Sequence, residues 1–408
     1  MNILIINHYA GSKFHGMEFR HFYLSKELIK KGHDVMIVAA DYSHVRTNNP
    51  NIKDTSYKIE SIDGINYLWI KTPKYKSNSI LRILNIIVFN IKLLILSNKI
   101  IKLFNPDKVI SSSTYTLDIW PSHHLAKKAN CDLVYEIHDL WPLSPIEIGG
   151  YSKRHPYIML IQAAEDFAYK NSDSIISILP NVSNYLQLKK YPLEKLHIVQ
   201  NGIDKSILDK TDLVHEETLN QIKAIKRNSS FIVGYIGSHG KPNALDDLLH
   251  SACMLRNHDI SFVLIGNGME KNFLMELSQN MKLKNTYFID PIPKETVVGT
   301  LKNFDVAYIG WKKHPIYKFG ISPNKIFDYM ISETPIIHAA ERENDIIDKA
   351  ECGITVNPES PEEISNAILK IKNEDQSAID RMGKNGKKYA LKNHSYKHLS
   401  ELFIKAIS

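Results

Sequence analysis

The chain has 408 residues, 43% of them hydrophobic and 23% charged, with 51 Lys and Arg against 44 Asp and Glu for a formal charge of +7. At roughly 100–200 residues per domain this length predicts two domains with substantial cores, and the composition excludes a disordered chain, a collagen-like repeat and a multi-span membrane protein. The positive surplus is small and scattered, which argues against nucleic acid as a partner, and Cys131, Cys253 and Cys352 are an odd number without CxxC spacing, which fits a reducing cytoplasm better than a disulfide or zinc framework.

In chain order, residues 2–9 form an apolar run too short, and too poor in leading basic residues, for an export signal; they read as the first buried strand of a parallel sheet. A helix follows over about residues 17–31, with Phe22, Leu24, Leu28 and Ile29 on its apolar face and Gly32 just past its end. Residues 34–40 (DVMIVAA) make the second strand. Residues 80–96 (ILRILNIIVFNIKLLIL) are short for a membrane span, and Arg82 and Lys92 would each cost about 2.5–3.5 kcal/mol near a bilayer centre. Arg82, Asn85, Lys92 and Lys99 fall on one stripe, so this segment is expected to be a buried helix of the first domain, with a helix lying in the membrane interface as the alternative. Strands at 108–111, 133–138 and 174–178 and a helix near 157–170 continue the series.

The second half repeats the alternation: strands near 231–237, 260–266, 286–289, 306–310, 336–338 and 354–356 are separated by helices. Strand–helix alternation at this spacing predicts parallel sheets covered on both faces. Two such series, joined through the polar stretch 205–228, predict two doubly wound domains facing an interdomain cleft, with ligands at the carboxyl ends of the strands.

The segment Gly320-Ile321-Ser322-Pro323-Asn324-Lys325-Ile326-Phe327-Asp328 carries the clearest chemistry. Ser322 is a favourable helix cap and Pro323 suits a first helical position. Such a helix mouth with Lys325 in its first turn would attract a phosphate or diphosphate, and Asp328 could accept hydrogen bonds from a ribose diol. A capped helix with a solvated Lys and Asp explains the same residues without a ligand. Gly237-Ser238-His239-Gly240 and Gly266-Asn267-Gly268 each follow a strand and would let a backbone approach a ligand closely. Both, and Asn243 as a cap of the next helix, are equally compatible with ordinary strand-to-helix turns. In the first half, the loop through Gly16, Arg20 one turn into the next helix, and His138 at the end of LVYEIHD occupy the carboxyl side of the sheet. The chain has no Asp-x-Asp pair, GxGxxG, GxSxG or GxxxxGK[ST], which disfavours a metal-bridged diphosphate, a nicotinamide dehydrogenase, an α/β-hydrolase and a P-loop kinase.

Taken together, HYAGSKFHGMEFR, EIHDLWPLSP, QNGID, FIVGYIGSHGKPNALDDLL, FVLIGNG and SPNKIFDYM resemble the retaining GT-B glycosyltransferases of family four. The nearest likeness is to the bacterial surface-polysaccharide branch that includes N-acetyl-L-fucosamine transferases. The resemblance implies an acceptor-side domain over residues 1–204, a nucleotide-sugar domain over 205–392, and a last helix, 393–408, packing back on the first. It implies a UDP-linked N-acetyl deoxy-aminosugar donor, and a lipid-diphosphate-linked saccharide acceptor in O-antigen or capsule synthesis. It also implies a cytoplasmic enzyme, peripheral on the inner membrane face, that needs no cofactor or metal. Lys325, Ser322, Pro323 and Asn324 would take the diphosphate, Asp328 the ribose, and the Gly266–Gly268 turn would lie near the base. His138 and the Gly16 loop would lie over the donor sugar and acceptor, and Arg20 would be a further catalytic residue, helping Lys325 with the diphosphate charge. The family's two glutamates fall here on Gly320 and Asp328, and its Arg and Lys after the first strand of the second domain fall on Ser238 and Asn243. The rival readings are a nucleotide-sugar 2-epimerase and a non-catalytic nucleotide-sugar-binding subunit of an assembly complex.

Overall fold

The computed structural model describes residues 1–53, 55–76, 80–341 and 345–408. The chain divides into two units: Met1–Asn201 with Phe319–Ser322 and Tyr396–Ser408, and Gly202–Lys318 with Pro323–Ser395.

The first unit is built on strands β1 (Asn2–Ile6), β2 (Asp34–Ala40), β3 (Tyr57–Ile62), β4 (Ile65–Ile70), β5 (Lys108–Ser111), β6 (Asp132–Ile137), β7 (Ser174–Ser177) and β8 (Leu196–Ile198). They lie in the order β3-β4-β2-β1-β5-β6-β7-β8, parallel except for β3 against β4. β1 and β2 are apolar almost throughout and buried beyond their first residue, as strands covered on both faces must be. The β3–β4 hairpin adds two strands to those expected. Its Asp63-Gly64 turn holds both residues at positive φ, 50° and 82°, the backbone that a two-residue hairpin requires and that this dipeptide favours.

Helix Arg20–Lys30 buries Phe22, Leu24 and Leu28 against β1 and β2, in a core that also takes Leu399 and Phe403 of the final helix, Tyr396–Ile407. That helix is fixed by stacking of Tyr23 on Tyr396, 5.5 Å between ring centres, and by a bond from Ser174 Oγ to the Ala406 carbonyl at 2.6 Å. Helix Ile80–Phe104 runs a further two turns beyond the segment expected from sequence, and it is half-buried rather than buried.

The second unit has six parallel strands, β9 (Ile232–Ile236), β10 (Ser261–Ile265), β11 (Thr286–Ile289), β12 (Val306–Gly310), β13 (Ile336–Ala339) and β14 (Gly353–Val356), in the order β11-β10-β9-β12-β13-β14. Alternate residues of β9 feed two cores. Ile232 and Ile236 pack with Phe327 and Tyr329 of helix Lys325–Ile331, and Val233 and Tyr235 with Leu245 and Leu248 of helix Leu245–Met254. In each sheet the order reverses at the unit's first strand, β1 lying between β2 and β5, and β9 between β10 and β12. The carboxyl ends of the strands at such a reversal diverge and leave room for a ligand.

Candidate active site

In the second unit, a pocket of about 390 Å³ opens beyond β9 and β10 and is lined by Gly237, Ser238, Gly266, Asn267, Lys294, Lys325, Asp328 and Tyr329, among others. Tyr329 ties its floor together: its hydroxyl accepts from Ile236 N at 2.8 Å and donates to Ile236 O at 3.1 Å, fixing helix Lys325–Ile331 to the end of β9. Lys325 is the first residue of that helix and is half-buried. Its ammonium donates to Asn243 Oδ1 and to Tyr235 OH at 3.2 Å. It also lies 5.1 Å and 5.4 Å from the ring centres of Tyr235 and Trp311, close enough for cation–π attraction. Asn243 Nδ2 and Tyr235 OH both donate to Ser238 O, at 2.8 and 2.7 Å, so the loop after β9 holds the groups that aim Lys325. Among the described residues no carboxylate pairs with this ammonium, and burial pushes its pKa down to about 8. A desolvated cation with only neutral partners is a ready site for an anion. Asp328, one turn on, is buried and accepts a hydrogen bond from Lys294.

Three expectations for this stretch change. The helix begins at Lys325 with Asn324 as its cap and has only seven residues, so Ser322 does not cap it and Pro323 is not its first residue. Ser322 instead belongs to the first unit, where its Oγ accepts from Asn201 N at 3.1 Å and its carbonyl from Asn201 Nδ2 at 2.7 Å. The positive charge at this place is therefore that of the Lys325 ammonium rather than of a capped helix mouth. The glycines after β10 serve loop packing. Gly266, at φ +144°, lies so close to the Gly237 carbonyl that a Cβ would overlap it, and one on Gly268 would overlap the His239 carbonyl. The two turns are joined by His239 N to Asn267 O at 2.9 Å; Gly266 also lines the pocket, whereas Gly268 does not.

Gly320, at the position of the absent first glutamate, is in the first unit with φ +93°. A Cβ there would stand 2.5 Å from Pro180 Cδ, so the local backbone excludes a larger residue on two counts.

In the first unit, charged side chains converge at the carboxyl ends of β5 and β6 and on the helix after β1. Glu136 is fully buried in β6. Its Oε1 accepts from Arg20 Nε at 3.0 Å and Nη2 at 2.8 Å, and its Oε2 from His21 Nε2 at 2.7 Å, His138 Nε2 at 3.1 Å and Ser112 Oγ at 2.5 Å. Arg20 also donates to the Val199 and Gln200 carbonyls, both at 2.7 Å, so it is a buried internal clamp. Burial alone would raise the Glu136 pKa, but Arg20 and then the two histidines hold it well below the usual carboxylate range. Burial likewise opposes charge on His138, yet Glu136 overrides it and raises this pKa, whereas burial wins at His21 and lowers it.

His21, Glu136 and His138 present ligand atoms within 4.8 Å of one another, a spacing that a metal could use. Ser112 Oγ already lies 2.5–2.9 Å from all three, and Arg20 takes the other carboxylate oxygen, so the group is satisfied internally as a proton network. Gly16 closes its own turn through Gly16 N to Ser12 O at 2.9 Å. Sequence reasoning named His138 but missed Glu136, His21 and Ser112. A charged residue two positions before His138 in an otherwise apolar strand was the available signal. Tyr235, Trp311 and Lys294 were also missed.

A family model described as Glycosyltransferase Family 4 matches residues 14–207, and one described as Glycosyl transferases group 1 matches residues 217–389. The chain is a family-four-like GT-B glycosyltransferase. No curated protein sequence matches it. The fold of this GT-B chain is shared with sucrose-phosphate synthase from Thermosynechococcus elongatus (TM-score 0.73, 16% identity, covering 99% of this chain and 97% of that one). It is also shared with Anabaena HepE in complex with UDP and glucose (0.67, 13%, 99% and 98%) and with WaaG, a glycosyltransferase involved in lipopolysaccharide biosynthesis (0.65, 13%, 100% and 99%).

Two outcomes test the site. Glu136→Gln leaves the buried Arg20 without its counter-charge and should cost about 3–5 kcal/mol of stability at neutral pH. In the same variant the His138 titration midpoint, followed by NMR, should fall; an unmoved midpoint would show that Glu136 is not what raises it. Gly320→Glu should lower stability by about 1–3 kcal/mol in thermal melts and bring no gain in turnover, because φ and Pro180 both oppose it.

Proposed function

We propose that this glycosyltransferase moves a sugar from a UDP-linked donor, an N-acetyl deoxy-aminosugar, to a lipid-diphosphate-linked saccharide in O-antigen or capsule synthesis, with retention of configuration. The observation that carries the donor reading is the Lys325 ammonium, desolvated, without a carboxylate partner among the described residues and aimed into the pocket beyond β9. Sequence resemblance supports the sugar class and acceptor, and the HepE complex with UDP-glucose and the involvement of WaaG in lipopolysaccharide biosynthesis are consistent with it. On this reading the protein works in the cytoplasm, peripheral on the inner face of the membrane.

Breaking the bond between the anomeric carbon and the phosphate oxygen leaves negative charge on the nucleotide diphosphate and positive charge on the sugar ring. Lys325 stabilises the departing diphosphate from a position that Asn243 and Tyr235 already fix, so little reorganisation is needed when the charge develops. Asp328 receives the ribose diol beside Lys294. The acceptor oxygen bonds to the anomeric carbon on the face the phosphate leaves, and its proton passes to that phosphate. His138, whose pKa Glu136 raises, serves the transferred sugar. The missing carboxylate at Gly320 favours a second reading, a binding subunit without turnover; product formation from nucleotide sugar and lipid-linked acceptor separates the two.

Lys325→Ala should lower the chemical rate by about 10²–10³. In the wild type, UDP affinity measured by calorimetry should hold steady up to about pH 8 and then fall toward tenfold per unit as the free ammonium loses its proton; the variant should lack that decline. A wild-type affinity flat to about pH 9.5 would remove Lys325 from the diphosphate. His138→Ala should lose turnover on the order of 10²-fold while keeping UDP affinity; loss of UDP affinity instead would move His138 from the sugar to the nucleotide.

A further inference from the structure

Helix Ile80–Phe104 buries Ile86, Phe89, Leu93 and Ile100 along with its polar residues and leaves a second apolar face outside. Its polar stripe turns toward the protein: Asn85 Nδ2 donates to Thr72 Oγ1 at 2.9 Å and to Pro73 O at 2.7 Å, Lys92 Nζ donates to Lys71 O at 2.6 Å, and Arg82 Nη2 donates to Tyr9 OH at 3.2 Å. The opposite face is a continuous apolar stripe in water, Leu84, Ile87, Ile91, Leu94 and Ile95, with Ile91 51% and Ile95 73% exposed. A surface helix normally presents polar residues on its outward face. Length and composition alone would let Leu81–Phe104 cross a bilayer. Yet Phe89, Leu93 and Ile100 are fully buried in the first unit, and spanning would tear them from it.

Charge selects the occupant. Residues 65–106 contain no Asp or Glu, and Lys74, Lys76, Lys99 and Lys102 of this stretch are exposed residues, Lys99 with its ammonium 4.6 Å from the Tyr57 ring centre. An apolar band with exposed cations in the same stretch matches the acyl boundary and headgroups of an anionic bilayer. We propose that this face is a membrane-docking surface: the helix lies in the plane of an anionic bilayer, its Leu and Ile side chains among the acyl chains and its lysines on lipid phosphates. The proposal deepens the lipid-linked acceptor reading, on which its biological purpose rests, but binding to lipid requires neither donor nor acceptor.

The test is sedimentation of the full chain with phosphatidylcholine vesicles, with and without one-third phosphatidylglycerol. The wild type should bind the anionic vesicles on the order of tenfold more tightly than the neutral ones, and less tightly as salt rises. Ile91→Glu with Ile95→Glu changes side chains already in water, so the melting temperature and the stabilisation by UDP should persist while anionic-vesicle binding falls at least about tenfold. Equal binding of variant and wild type, or of neutral and anionic vesicles, would overturn the proposal. So would a wild type that ignores vesicles but dimerises through this face, with the variant monomeric. Because UDP stabilisation is read separately, a wild type that binds UDP but not vesicles defeats the docking surface alone, and the reverse defeats the donor reading alone.

Discussion

A cation withdrawn from water without an anion beside it is costly, and Lys325 is held in that state by the architecture of the second unit. Its aim depends on Asn243 and Tyr235, which in turn depend on the turn after β9, and that turn is pressed against the one after β10 through Gly266 and Gly268. The parallel sheet reverses its order at the same place, so both loops emerge on one side of a widening gap. The aromatic faces of Tyr235 and Trp311 soften the desolvation without neutralising the charge. What results is an ammonium positioned before any ligand arrives, which is the condition for stabilising a leaving group with little reorganisation.

The first unit solves the opposite problem. There the costly charge is the carboxylate of Glu136, buried in β6, and five side-chain donor atoms satisfy it. Removing any one partner from such a group costs more than the bond itself is worth, because the rest of the network is left buried and unbalanced. Arg20, His21 and Ser112 are thus positioning residues around Glu136, the carboxylate that raises the His138 pKa against its burial at the carboxyl edge of the sheet.

Much of the fold was legible in the sequence. Apolar strands such as NILII and DVMIVAA, and helices with a single apolar stripe, carry their burial in their composition, so the alternation and the two parallel sheets followed from pattern. The β3–β4 hairpin was written in Asp63-Gly64 and overlooked, since β3 (YKIESI) mixes charged and apolar residues without strict alternation. Helix Ile80–Phe104 shows where pattern stops: periodicity does not reveal which residues turn inward, and here the polar ones do, beside Phe89 and Leu93, because the β4-to-helix connection offers them hydrogen-bond acceptors.

The sequence by itself determined the residue types: a lysine and an aspartate three positions apart after a proline, a histidine ending a strand, glycines after two others. These chemistries persist wherever the chain puts them, and the family's pattern gave them provisional roles. Tertiary structure alone decided which were partners. It moved Ser322 onto Asn201, turned Arg20 inward to Glu136, set Lys325 against two rings and an amide, and crowded Gly320 against Pro180. The reason is that desolvation and hydrogen bonding depend on which atoms meet within a few ångströms, and distance along the chain, 116 residues between Arg20 and Glu136, does not reveal that.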